Sequence, residues 1–191
     1  MEGELRVPHA GGTPISEWHP DEKSVIAWSI IAAPLTVVAL LGYLLIALRG
    51  ELPTQGTFDI PSIVLVLALT IGLAWVHEGV HGLVMMRYGV VPEFGILKIG
   101  GIFVGFYTTA PGHRFSRRPY LAICLAPLVV ITPLGIVACM LPFGALMVVP
   151  FGLVFGGCIG DLTIAWHVLR GPNDVLCEDL RDGLRLWPTE G

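Results

Sequence analysis

The sequence predicts an all-α integral membrane protein with four transmembrane helices and a membrane-associated β-hairpin between the second and third helices. Hydrophobic residues make up 54% of the 191 residues, and charged residues only 14%. Three runs carry no Asp, Glu, Lys, Arg or His, at 24–48, 60–76 and 119–160. About 20 apolar residues span the hydrocarbon of a bilayer as a helix, so the run 119–160 is long enough for two helices. The same composition leaves no basic surface suited to nucleic acid.

The predicted helices form one transmembrane domain at 25–169. They lie at about 25–48, 61–87, 119–141 and 145–169. Pro61 occupies a favourable first helical position, and the sequence "LPFG" at 141–144 provides a turn between the last two helices. Pro127 and Pro133 are expected to kink the third helix. Residues 1–24 and 170–191 are predicted to be tails.

The connection between the second and third helices contains a strand-like segment, "FGILKIGGIFVGFYTT" at 94–109. Its β-branched and aromatic residues surround Gly100-Gly101, a two-residue hairpin signal. With four glycines and Lys98 inside it, the segment is a poor spanning helix. We therefore expect a hairpin that dips into the membrane beside the helices, because non-helical backbone at that depth must be covered by protein. A plain surface loop is the alternative.

Basic residues predict the orientation of the four spans. Ten of the eleven Lys and Arg residues fall on one side: Arg6, Lys23, Arg87, Lys98, Arg114, Arg117, Arg118, Arg170, Arg181 and Arg185. Only Arg49 lies opposite. The positive-inside rule then puts both termini in the cytoplasm. We expect a multi-pass protein of a prokaryotic cytoplasmic membrane, with cytoplasmic tails at both ends.

The C-terminal segment "NDVLCEDLRDGLRLW" spaces its leucines and Trp187 like one face of a helix. We therefore predict a solvated amphipathic helix that lies on the membrane surface. The four cysteines, Cys124, Cys139, Cys158 and Cys177, have neither close pairing nor metal-type spacing. Three of them fall in apolar runs, which predicts buried, inert thiols there, and the four together predict neither a disulfide framework nor a redox motif.

Chemistry is concentrated in "LAWVHEGVHGLVMM" at 73–86. His77 and His81 are one helical turn apart, so both imidazoles project from one face and can bind the same metal ion. Glu78 lies about 100° around the helix, where it can reach a water on that metal without being a ligand. This H-E-x-x-H pattern predicts two zinc ligands and a general base. The alternative is a buried polar network between helices.

A catalytic zinc site needs a third protein ligand, and Asp161 is the only carboxylate within the last two predicted helices. His77 precedes Arg87 by ten residues and Asp161 precedes Arg170 by nine. Each therefore lies about 13 to 15 Å inside the same membrane face, at 1.5 Å per residue. Gly152, Gly156 and Gly160 form a stripe of small residues on which another helix can pack closely. We expect Asp161 to meet the two histidines.

The helix-borne "HEGVH", the strand-like segment, two further spans and the "GD" of the last helix together resemble the "putative zincin-peptidase" integral membrane family. That family is itself similar to the site-2 proteases, which are intramembrane zinc metalloproteases. The resemblance implies that His77, His81 and Asp161 bind one Zn²⁺ and that Glu78 is the catalytic base. Site-2 proteases carry their aspartate in an Asn/Pro-rich "DG" motif, whereas this chain has "CIGDLTIAW". The difference favours the first family.

The predicted function is that of a zinc metalloendopeptidase, which hydrolyses peptide bonds of membrane proteins with a metal-activated water. Its partners would be a membrane-protein or peptide substrate and the lipid bilayer. Two alternatives remain open. One is a membrane haem or redox protein that uses His81 and His167 as axial ligands, and the other is a non-catalytic zinc-binding scaffold. If the protein is a zinc peptidase, we expect His167 to be an interfacial residue and His113 to contact lipid headgroups.

Overall fold

The computed structural model describes residues 13–49, 59–99, 101–181 and 183–189. Within them the elements follow one another along the chain as β1 (Ser16–Trp18), α1 (Glu22–Ala47), α2 (Ile60–Arg87), β2 (Glu93–Ile99), β3 (Ile102–Thr109), β4 (Arg114–Ser116), α3 (Arg117–Cys139), α4 (Gly144–Gly157), α5 (Ile159–Arg170), β5 (Val175–Leu180) and β6 (Gly183–Pro188). Four long apolar segments dominate, as the charge-free runs predict.

The helices begin where the sequence supplies capping residues. The side chain of Asp21 accepts a hydrogen bond from the Ser24 backbone N–H at 2.8 Å, and Asp59 does the same for Ser62. Each carboxylate satisfies a backbone donor that has no partner within the helix. Pro61 follows Asp59 in the first turn of α2, as predicted. The helix boundaries differ from the predicted ones by no more than about three residues, a normal disagreement at helix ends.

The fourth predicted helix is interrupted. α4 ends at Gly157, and α5 begins at Ile159 after Cys158. Asp161 consequently lies in the first turn of α5. The partial positive charge at a helix N-terminus favours a carboxylate in that position.

The glycine stripe of α4 packs against α1. A Cβ at Gly152 would lie 2.5 Å from Leu40 Cδ2, and one at Gly156 would overlap the Thr36 side chain. A Cβ at Gly160 would meet nothing within 4 Å. The stripe therefore brings two helix backbones together, as expected, but only its first two members do so, and they contact α1.

The predicted hairpin at 94–109 is confirmed. β2 and β3 pair antiparallel from Glu93↔Thr109 to Ile99↔Ile102, with an irregularity in register between Leu97 and Lys98. The N-terminal end of β2 lies against α2, where a Cβ at Gly82 would come within 2.7 Å of the Phe94 ring. On β3, the Phe106 ring lies 4.5 Å from that of Trp75.

The C-terminal segment is not a helix, and this prediction was wrong. β5 and β6 form an antiparallel hairpin within a four-stranded sheet of order β1-β6-β5-β4. The leucine spacing that fits a helix also fits two strands that pair from Val175↔Pro188 to Leu180↔Gly183, and the sequence "DG" at 182–183 is a common hairpin turn signal. Val175, Cys177 and Asp179 alternate inwards on β5 with period two, as strand residues do.

The N-terminal tail is likewise partly structured. β1 pairs with β6 from Ser16↔Leu186 to Trp18↔Leu184. The Arg185 guanidinium donates to Glu17 at 2.8 Å across this pair, and it holds the pKa of that carboxyl at about 2. Residues 16–18, 175–180 and 183–188 are therefore parts of one sheet, and none of these segments is a free tail.

Two apolar clusters hold the helices together. One, around Tyr120, Met85, Val168 and Leu184, joins the ends of α2, α3 and α5 to the sheet. The other, around Tyr43, Cys139 and Phe151, lies at the opposite end of the bundle. Large apolar side chains remain exposed along the outer faces of α1 and α2. Four segments are long and apolar enough to cross a membrane, which indicates a membrane protein.

Candidate metal centre

The two histidines of the H-E-x-x-H segment converge inside the bundle. His77 and His81 are 8% and 7% exposed, and their Nε2 atoms lie 3.3 Å apart. Both belong to α2, where four residues make about one turn. The helix alone thus brings two imidazole nitrogens together in a water-poor place.

Asp161 lies opposite this pair on α5. Its Oδ2 is 3.1 Å from His77 Nε2, and its Oδ1 is 3.2 Å from His81 Nε2. The proximity that the depth count predicts is therefore observed. Asp161 is 19% exposed at its side chain, and apart from the His77 ring nitrogen no described residue offers its Oδ2 a hydrogen bond.

Backbone geometry fixes the tautomer of His81. Its Nδ1 lies 2.8 Å from the carbonyl oxygen of Ile123 on α3. A carbonyl only accepts, so Nδ1 carries the hydrogen and the neutral ring presents a bare lone pair at Nε2. This is the arrangement in which a histidine that binds a metal is usually held by its other nitrogen.

These residues fit a zinc ion. A neutral His81 turns the bare lone pair of Nε2 towards a carboxylate oxygen, and this pair of acceptors is unfavourable unless a proton or a metal cation lies between them. In a tetrahedral site with bonds of about 2.0–2.1 Å, neighbouring ligand atoms lie about 3.3–3.4 Å apart. The distances of 3.1, 3.2 and 3.3 Å among His77, His81 and Asp161 are close to that spacing. The set of two imidazoles and one carboxylate is also a zinc donor set.

Glu78 is held by the hairpin. It is 9% exposed, and its Oε2 lies 2.8 Å from the hydroxyl of Thr108 on β3. That hydroxyl is also 3.0 Å from the backbone oxygen of Glu78 and can donate to one of the two at a time. The contact of Thr108 with Glu78 could not be predicted from the sequence, because no local pattern relates two residues thirty positions apart.

Cys158 approaches the same place. Its Sγ lies 3.9 Å from His77 Nδ1, and His77, Cys158 and Asp161 together could also hold a metal ion. The prediction of an inert buried thiol is correct for its burial, but spacing along the sequence did not reveal the contact. The position of Cys158 in the break between α4 and α5 brings it there.

A cavity of about 650 Å³ leads to these side chains. Its walls come from all five helices, the β2-β3 hairpin and the C-terminal sheet. His77, Glu78, His81 and Asp161 line it at one place, and Asp179 and Arg181 of the sheet line it at another. A volume of this size accommodates a short stretch of peptide.

Asp179 is a further buried carboxylate on the cavity wall. It is 8% exposed and accepts a hydrogen bond from the hydroxyl of Tyr120 at 2.6 Å. Burial raises the pKa of Asp179 to about 6, although hydrogen bonds from Tyr120 and Thr109 act in the opposite direction. The spacing of the C-terminal segment predicted a solvated position for Asp179, and no sequence pattern indicated that it lines a cavity.

The remaining histidines lie elsewhere. His167 stacks on Trp18 with ring centroids 4.3 Å apart, and its Nδ1 is 2.8 Å from the Thr163 carbonyl. His113 packs beside Phe115, where burial lowers its pKa. His19 contacts Glu17, and His9 is outside the described residues.

Comparison with known proteins gives one match. A family model described as "Putative zincin peptidase" covers residues 70–176, just over half of the chain. The matched stretch begins within α2, before His77, and ends after α5, so it includes His77, Glu78, His81 and Asp161. No curated protein and no solved structure matches the chain.

Proposed function

Because the chain belongs to the "putative zincin peptidase" family, we propose that it is a zinc-dependent endopeptidase that cleaves membrane proteins at a site between its helices. The observation that carries the proposal is the mutual approach of His77, His81 and Asp161, with Glu78 beside them. Zincins use zinc, and this donor set fits one Zn²⁺ ion.

The residues would act as follows. His77, His81 and Asp161 would hold the ion, which supplies Lewis-acid polarisation of the substrate carbonyl and an acidified water. Glu78 would accept a proton from the attacking water and pass it to the leaving nitrogen. Thr108 would hold the carboxylate of Glu78 in the orientation needed for both transfers. The burial of all three α2 residues would limit competing water.

We further propose that the substrate binds as an extended strand. A peptide bond within a helix does not present its carbonyl, so a membrane-spanning substrate must unwind locally. The β2-β3 hairpin is a two-stranded sheet beside the centre, and an edge of such a sheet can accept a third strand. Water would enter from the cytoplasmic face, on which the basic residues predict that both termini lie. In these respects the protein would be similar to the site-2 proteases.

The test compares wild type with Glu78→Gln. Both chains would be expressed in a bacterium, the membranes isolated, and new protein N-termini determined by mass spectrometry. We expect termini within or beside membrane spans with wild type and none with Glu78→Gln, while metal analysis finds about one zinc per chain in both. Glutamine keeps the shape of Glu78 and can still accept from Thr108, so loss of cleavage would report the missing base.

Other outcomes would reject the proposal in different ways. Equal sets of termini in the two samples, with zinc present, would support a non-catalytic zinc-binding scaffold. A Soret absorption band in purified protein that contains no zinc would support a haem protein instead.

A further inference from the structure

We propose that Asp179 binds a lysine or arginine side chain of the substrate, so that the protein selects membrane segments with a basic residue a few positions from the cleaved bond. The proposal rests on the proposed function, in that the cavity is taken to be the peptide-binding site. It assigns a substrate class to a residue that the metal chemistry leaves without a role.

The first observation is the direction of the side chain. Successive residues of a strand point to opposite faces, so Glu178 and Asp179 diverge. Glu178 points to the opposite face of the sheet, where it is also buried, and there Trp187 donates to it at 2.7 Å and Arg185 lies 3.4 Å away. Asp179 points inwards and lines the cavity.

The second observation is the absence of a cation beside Asp179. The groups that donate to its side chain are the neutral hydroxyls of Tyr120 and Thr109. Among the described residues no Lys, Arg or His forms an ion pair with it. Arg181, the lone Lys or Arg among the described cavity-lining residues, pairs at 3.3 Å with Glu93. A buried carboxylate without an opposite charge is costly, and a bound cation would offset that cost.

The third observation is that Asp179 and the candidate centre contact the same strand of the hairpin. Thr108 and Thr109 are neighbours on β3, where adjacent side chains point to opposite faces. The Thr108 hydroxyl contacts Glu78, and the Thr109 hydroxyl donates to the Asp179 carbonyl at 3.0 Å. One strand therefore separates the two carboxylate residues. An extended peptide advances about 3.3 Å per residue, so a side chain a few positions from the bond beside Glu78 would lie towards Asp179.

A preference for a lysine or arginine side chain agrees with the composition of membrane proteins. Spans commonly carry Lys or Arg at their cytoplasmic ends. A span that unwinds beside His77 and Asp161 would carry such a residue towards the sheet that joins the basic ends of the helices. Asp179 lies on that sheet, at its boundary with the cavity.

The test measures binding without cleavage. Full-length Glu78→Gln protein in detergent would be titrated with fluorescent peptides that carry one lysine, or norleucine as its uncharged counterpart, at successive positions. We expect about tenfold tighter binding of the lysine peptide over a window of a few positions. Adding Asp179→Asn should reduce the ratio of the two dissociation constants to near one. Glu178→Gln, which changes the carboxylate on the opposite face of the strand, should leave the ratio unchanged.

The proposal would be overturned by a ratio near one at every position, or by a ratio that Asp179→Asn does not change. The positional window is measured without changing Asp179, so it tests the proposal even if that variant fails to fold. Because Glu78→Gln removes hydrolysis, a preference for lysine could be found even if wild type proves inactive. In that case the proposed function would fail while this inference stands.

Discussion

The hydroxyl of Thr108 lies 2.8 Å from the carboxylate of Glu78, so a strand of the hairpin contacts the helical turn that carries His77 and His81. The contact joins two elements that are separate in sequence and makes the orientation of Glu78 depend on the hairpin. A carboxylate that must both accept and return a proton benefits from such a fixed orientation.

Replacing Thr108 with valine removes the hydroxyl and keeps the shape. Hydrogen bonds to charged groups contribute about 1.5–3 kcal/mol, so we expect kcat to fall about tenfold to a hundredfold. KM and zinc content should change little, because Thr108 contacts neither the expected metal ligands nor the metal. Cleavage of a purified model membrane substrate provides kcat and KM, and Thr108→Ser should restore most of kcat. Loss of zinc in the valine variant would indicate a structural role instead.

Removing Asp161 should release the metal. Asp161→Ala leaves two histidine ligands, and a zinc site with two protein ligands binds far more weakly than one with three. We expect about one zinc per purified wild-type chain and well under half of that in the variant after dialysis against a mild chelator. Elemental analysis measures both. Asp174→Ala changes a carboxylate away from the centre and serves as the control, so equal zinc in all three proteins would exclude Asp161 as a ligand.

The buried carboxyl of Asp179 should make stability depend on pH. Its pKa is about 6 in the folded protein and about 3.9 in an unfolded chain. A raised pKa means that the folded state favours the protonated form, so this contribution is complete below about pH 4 and is lost as the pH rises through 6. The full loss is about 3 kcal/mol.

Thermal unfolding in detergent from pH 4 to pH 8 measures this effect. Asp179→Asn has no such titration, so its melting temperature should rise relative to that of wild type as the pH increases. A difference between the two proteins that stays constant over this range would contradict the assignment. Groups such as Glu17, whose pKa is lowered, shift both proteins equally and do not disturb the comparison.

The contact between α1 and α4 should not tolerate a methyl group at Gly156. A Cβ there would overlap Thr36, whose short branched side chain cannot move away easily. Overpacking of this kind costs about 1–3 kcal/mol, so we expect Gly156→Ala to lower the unfolding temperature. Gly72→Ala is the matched control, because its Cβ would meet nothing within 4 Å. Equal melting temperatures for the two variants would contradict the close approach.

The sequence was sufficient to predict the helical part of the fold. The absence of charge over 24–48, 60–76 and 119–160 requires apolar surroundings, and helix length then follows from membrane thickness. The hairpin was predictable because Gly100-Gly101 interrupts two β-prone stretches. Counting residues from Arg87 and Arg170 was enough to bring His77 and Asp161 to one level, since the rise of a helix is constant.

The C-terminal sheet was not predictable in the same way. Leu176, Leu180 and Leu184 satisfy a helical spacing, while burial on β5 and β6 follows a period of two. The choice between them depends on pairing with β1 and β4, which come from distant parts of the chain. The roles of Thr108 and Asp179 depend on the same long-range pairing, so neither could be inferred locally.

The register of the β2-β3 hairpin determines where residues could be inserted into it. The irregularity between Leu97 and Lys98 shows that the ladder can shift near the turn, and residues added there could be absorbed without moving Thr108. One residue inserted between Gly105 and Thr108 would instead exchange the faces of Thr108 and Thr109. The carboxylate of Glu78 would then lose the Thr108 hydroxyl, and the backbone carbonyl of Asp179 would lose the Thr109 hydroxyl. Insertions should therefore be tolerated at the tip of the hairpin and excluded from its base.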